Sequence, residues 1–137
     1  MSDQIFWPED ILERGDSKPP RKILLKQAEA LESLTEYNLR GEVQTNRGIM
    51  GDSDEEVFVH HFRIIATGLD NYRVTLFRVI HGFKHYPLKI YEVFTETTHD
   101  DLKNEKEFTD QLKKTLSSDE VVQLIQSLVA HSDEDIF

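Results

Sequence analysis

Cysteine is missing from this chain altogether, which removes thiol nucleophiles, CxxC redox chemistry, cysteine-ligated zinc and iron–sulfur clusters in one step. Glycine and proline are sparse, six and four residues in 137, and no internal repeat or low-complexity tract interrupts the pattern. No apolar run approaches the roughly 18 residues of a membrane-spanning helix. The opening stretch MSDQIFWPED has neither the basic start nor the apolar centre of a signal peptide. A cytoplasmic location without membrane association is therefore the expectation. GxxxxGK[ST], GxGxxG, HExxH, GxSxG and an EF-hand loop are all lacking. These absences count against the common enzyme classes, so no catalytic residue, metal or cofactor is expected. What remains, 38% hydrophobic and 31% charged residues, suits one globular domain large enough to bury a core.

Positive charge is also scarce, and it is unevenly placed. The chain carries 16 basic and 26 acidic residues, a net of −10, which argues against a general nucleic-acid or anionic-membrane binder. From Val57 to Tyr91, however, Arg63, Arg73, Arg78, Lys84 and Lys89 stand against Asp70 alone. That segment has a net charge of +4 and leaves −14 for the rest. It also holds His60, His61, His81 and His85, so any anion site is expected there.

The periodicities divide the chain into an N-terminal arm (1–18), one α+β domain (19–132) and an acidic tail (133–137). The arm is expected to dock through Ile5, Phe6 and Trp7. A helix is expected from Pro20 to Tyr37, with Ile23, Leu24, Gln27, Ala28, Leu31 and Leu34 on one stripe. Its basic start and acidic end oppose the helix dipole, and pairing with Glu9, Asp10, Glu13 and Asp16 of the arm is the expected compensation. The period then changes to two. Extended segments at about 39–49, 56–67, 71–81 and 88–97 are expected to form a four-stranded, mainly antiparallel sheet, because short connections do not permit parallel crossovers. Alternation places Phe58, Phe62 and Ile64 on one face of the second strand. In the third it places Phe77, Val79 and His81 opposite Leu76. Asn104 with Glu107 and Ser117 with Glu120 read as capping boxes for two C-terminal helices. Asp110 and Lys114 are spaced as an ion pair in the first, and Val121, Val122, Leu124, Ile125, Leu128 and Val129 give the second a wide apolar face. The expected architecture is two-layered, α-β-β-β-β-α-α, with all helices on one face.

The stretches PPRKILLKQAEALESLTEYNLRGEV, LDNYRVTLFRVIHGFKHYPLKIY and EFTDQLKKTLSSDEVVQLIQSLVAHS together resemble a family of small, uncharacterised bacterial proteins. The resemblance spans about residues 19–132. It implies a bacterial, cytoplasmic protein and assigns no activity and no catalytic residue.

Three constellations carry chemistry. The acidic loop with Asp52, Asp54, Glu55 and Glu56 lacks the spacing of a calcium loop and reads as a solvated surface that complements a basic protein partner. A non-enzymatic interaction or regulatory module, of immunity or antitoxin type or self-associating, is the first expectation. The alternative lies on the sheet, where Arg63, Arg73 and Lys89 interleave with Phe77 and Tyr91, and where Arg63, Arg73, Arg78 and Tyr91 are the expected ligand-binding residues. Basic residues among aromatics suit a phosphate-bearing ligand or single-stranded nucleic acid. A third reading gathers His60, His61, His81 and Asp70 into a catalytic or metal-binding pocket. Against it, His60 and His61 are adjacent and point to opposite faces of a strand, and Asp70-Asn71 has the composition of a tight turn.

Overall fold

A computed structural model of the chain describes residues 4–12, 18–49 and 55–133. Helix α1 (Pro20–Leu34) starts with proline in its first turn, where the missing N–H costs nothing. It stops three residues before the expected end because Glu36 and Tyr37 both adopt positive φ, 53° and 66°. The Thr35 hydroxyl donates to the Leu31 carbonyl at 2.8 Å and accepts from the Leu39 amide at 3.2 Å, fastening the helix end to the sheet.

The sheet follows as β1 (Leu39–Ile49), β2 (Glu56–Ala66), β3 (Tyr72–His81), β4 (Leu88–Glu92) and β5 (Thr97–Leu102). It is antiparallel throughout, in the order β1-β2-β3-β4-β5. There are thus five strands rather than four among the described residues. The segment expected as one strand over 88–97 is broken by a turn at Val93–Glu96 in which Glu96 takes φ 53°. No glycine, proline or asparagine marks that turn. Between β2 and β3 the chain makes a single 3-10 turn, Thr67–Leu69, and then the left-handed pair Asp70 and Asn71 (φ 58° and 59°). The turn reading of these two residues holds.

A β-bulge decides which side chains share a face. Phe62 pairs with Phe77, but Arg63 pairs with Thr75, so β3 carries one extra residue. From Phe77 onward the parity of β3 is reversed. Phe77, Val79 and His81 therefore lie on the same side as Val74 and Leu76, and not opposite Leu76 as simple alternation implies. The Phe77 ring stacks on Phe62 at 5.0 Å between centroids. Leu24 and Ala28 of α1, with Phe108 and Leu112 from a helix after the sheet, complete that core. Val57 and Ile65, buried on the opposite face, do not belong to it.

Helices α2 (Glu105–Leu116) and α3 (Asp119–Asp133) close the helical layer. The Asn104 side chain accepts from the Glu107 amide at 2.9 Å, as the capping signal requires. Asn104→Ala is expected to lower stability by about 1 kcal/mol, measurable by urea denaturation; an unchanged midpoint would remove that role. The second cap falls one residue later than expected. Ser118 caps α3 through its hydroxyl and carbonyl, while the Ser117 hydroxyl closes α2 on the Lys113 carbonyl. The ion pair on α2 is Lys106–Asp110 at 2.8 Å rather than Asp110–Lys114. On α3, Val121 and Leu128 are buried and Val122 is exposed, so the expected wide face is narrower in fact.

The arm does not dock through its aromatic triplet. Ile5, Phe6 and Trp7 are all exposed, Trp7 to 74%. Arg21 Nε donates to Thr45 Oγ1 at 3.2 Å, and of the four carboxylates expected to pair with the helix start Glu13 and Asp16 lie outside the described residues, as do residues 134–137 of the tail.

Candidate functional site

The register places Arg40 and Glu42 of β1, His61 and Arg63 of β2, Arg73 and Arg78 of β3, and Lys89 and Tyr91 of β4 on the face opposite the helical core. Across β1 to β4, Glu42 is the one carboxylate on this surface among the described residues. Its Oε1 lies 3.6 Å from Arg63 and 4.0 Å from Arg73. Arg63 is further held by Thr75 Oγ1 at 3.2 Å and by the Gln44 side-chain oxygen. That leaves it rigid, with its donors largely engaged. Arg73 is more exposed and only loosely paired. Arg78 lies over the Tyr91 ring, its guanidinium carbon 5.7 Å from the centroid, which fixes both in a stacked pair. His61 shares a hydrogen bond with Asn46 at 3.3 Å. Desolvation, then the charges of Arg63 and Arg78, push its pKa below the ordinary histidine value.

Arg63, Arg73, Arg78 and Tyr91 thus share one surface, although alternation alone sets Arg73 and Arg78 on opposite faces of β3 and only the bulge unites them. Phe77 does not join them, because the bulge turns it into the core. Arg40 is an addition that the charge count overlooks, since it lies outside the basic segment, although alternation with the apolar Leu39 places it on this face. At the end of the face where the β3–β4 loop leaves the sheet, a cleft of about 610 Å³ opens between Val57, Ile80, Lys89 and Asp100. No pattern in the sequence points to this cleft, since its walls come from several strands and a loop.

No family model, curated protein or solved structure matches the chain. No helix among the described residues is long and apolar enough to cross a membrane.

The histidines divide between the two faces. His60 and His81 are buried on the helical side, 3% and 8% exposed, with Nε2 atoms 2.8 Å apart. His60 Nδ1 shares a 2.8 Å hydrogen bond with Thr45, and His81 Nδ1 lies 2.7 Å from the Gly82 carbonyl. Only one arrangement satisfies every atom with both rings neutral. His81 Nδ1–H donates to Gly82, His60 Nε2–H donates to His81 Nε2, and the Thr45 hydroxyl donates to His60 Nδ1 while accepting from Arg21. Burial, reinforced by the charges of His81, Arg21 and His61, lowers the His60 pKa to about 4. The pair is a closed hydrogen-bonded unit with no ring nitrogen left to a substrate. Nor do the four residues of the third reading converge. His61 is on the other face, and Asp70 sits beyond the far end of β3, eleven residues and roughly 30 Å from His81. Among the described residues, no group of three or more His, Asp and Glu is placed to hold a metal ion.

The acidic constellation is only partly described. Glu55 and Glu56 are exposed at the start of β2, and Asp52 and Asp54 lie outside the described residues.

Proposed function

We propose that the helix-free face of the sheet binds a phosphate-bearing ligand and that the protein acts as a binding module. The observation that carries this reading is the concentration of Arg40, Arg63, Arg73, Arg78 and Lys89 against Glu42 on one surface of an otherwise acidic chain. Planar guanidinium groups from adjacent strands match phosphate oxygens in pairs. The acidic remainder of the molecule repels a long polyanion, so a compact ligand or a short single strand is favoured over duplex nucleic acid. Arg63 serves as the fixed element, and Arg73 and Arg78 supply the exposed donors.

Inorganic tripolyphosphate, titrated by calorimetry, is the direct probe. Binding is expected to weaken as salt rises. In an Arg73→Ala/Arg78→Ala variant it should fall by roughly a hundredfold, since a hydrogen bond to a charged group contributes about 1.5–3 kcal/mol. Both residues are surface groups, so the variant should unfold at the wild-type midpoint. Equal affinity in the two proteins would overturn the proposal.

A further inference from the structure

The cleft at the end of the basic face opens on the same surface. Val57 and Ile80 belong to its apolar lining, with Phe83, Pro87 and Leu88, and Val57 and Ile80 lie on the face that carries the arginines. Ile80 stands opposite Lys89, and the next pair along the same two strands on that face is Arg78 and Tyr91. Successive residues on one face of a strand are about 7 Å apart. A ligand resting on Ile80 thus reaches Arg78 and Tyr91 with its next substituent.

The charges at the two ends of this surface differ in sign. The cleft carries Glu55, Asp100 and Asp101 against Lys84 and Lys89, whereas beyond Tyr91 the face is cationic. Lys89 itself faces an irregularity in β5: Leu88 pairs with Leu102 but Ile90 with His99, so Asp100 and Asp101 together oppose one residue. Phosphate is disfavoured among these carboxylates and favoured at the arginines. The end of the ligand that enters the cleft must be uncharged, must offer apolar surface to Val57 and Ile80, and gains if it carries N–H donors for the carboxylates.

From this we infer that the ligand of the basic face is a nucleotide, with its base in the cleft over Val57 and Ile80 and its phosphate chain held first by Arg78 and extending toward Arg73. The inference rests on the phosphate-binding reading above and adds the chemical class. A flat heteroaromatic ring joined to phosphate by a sugar meets the three conditions together: an apolar face, edge donors, and an anion held one pleat repeat away. Tyr91, already stacked under Arg78, borders the path between the two ends.

The experiment is calorimetric titration of the full chain with tripolyphosphate and, separately, with each of the four common nucleoside triphosphates. At least one nucleotide is expected to bind about tenfold more tightly than tripolyphosphate, the gain typical of one base held on an apolar or aromatic surface. Ile80→Ala should erase most of that gain and leave tripolyphosphate binding unchanged. If tripolyphosphate binds and no nucleotide binds better, the nucleotide inference falls and the phosphate reading stands. If Ile80→Ala leaves a nucleotide preference intact, the base does not use this cleft and the inference falls likewise. If none of the five compounds binds, both readings fall together.

Discussion

Replacing Gly41 by alanine is expected to destabilise the fold by about 3 kcal/mol, at the upper end of what an overpacked site usually costs. A Cβ at Gly41 would stand 2.5 Å from both Cα and Cβ of Ala28, so α1 rests directly on the backbone of β1. Backbone is the less yielding partner, because moving Ala28 means moving the helix that also buries Leu24 in the core. Ala28→Gly in the same chain should restore only part of the loss, since it takes away the methyl group and leaves the helix backbone in the way. Urea denaturation of the single and double variants reads both effects. A Gly41→Ala protein as stable as wild type would show that the helix lifts off the strand at little cost.

Lowering the pH from 7 to 4 should cost the fold about 3 kcal/mol through His60 alone, by the linkage between a lowered pKa and stability. The folded-state pKa of about 4 lies below the ordinary 6.5. The unfolded chain therefore takes up the proton first as the solution is acidified. This contribution is fully present above pH 6.5, fades between 6.5 and 4, and is lost below. The cause is structural. A proton on His60 Nδ1 meets a Thr45 hydroxyl that must turn round to accept it, in a buried site beside Arg21 and His81. Ring-proton NMR titration tests the point directly: His60 should stay neutral to about pH 4. A midpoint near 6.5 for this ring would refute the assignment without any variant.

The parts of the fold that are legible in the sequence are those with a periodic or capping signature. The stripe from Ile23 to Leu31, the Asn104 cap and the Asp70-Asn71 turn hold as read, whereas Leu34, expected on the same stripe, is exposed at the helix end. What is not legible has a common physical origin, the backbone conformation of residues whose side chains give no warning. The bulge that reverses β3 contains no glycine, and it sends Phe77 to the core while leaving Arg78 on the open face. The turn after β4 uses Val93, Phe94, Thr95 and Glu96 and so reads as continued strand. Three of the four residues expected on the ligand-binding face are insensitive to the reversal, because Arg63 and Tyr91 lie on other strands and Arg73 precedes it. Charge alone makes Arg78 a candidate, and its orientation depends on the bulge. The opposition of His60 and His61 follows from strict alternation, whereas the hydrogen bond between His60 and His81 runs diagonally across the pair, since His60 stands directly opposite Val79.

The sequential strand order has a consequence for behaviour at high concentration. It leaves β1 and β5 as the two rims of the sheet, where backbone donors and acceptors invite another chain to add on. β1 is eleven residues long, yet it is broken by Gly41 and Gly48 and studded with Arg40, Glu42 and Arg47. β5 is short and carries the adjacent carboxylates Asp100 and Asp101 just before its end, with Asp101 twisted to φ 55°. Both rims are thus poor templates for strand addition, one through charge and glycine, the other through a kink and like-charge repulsion.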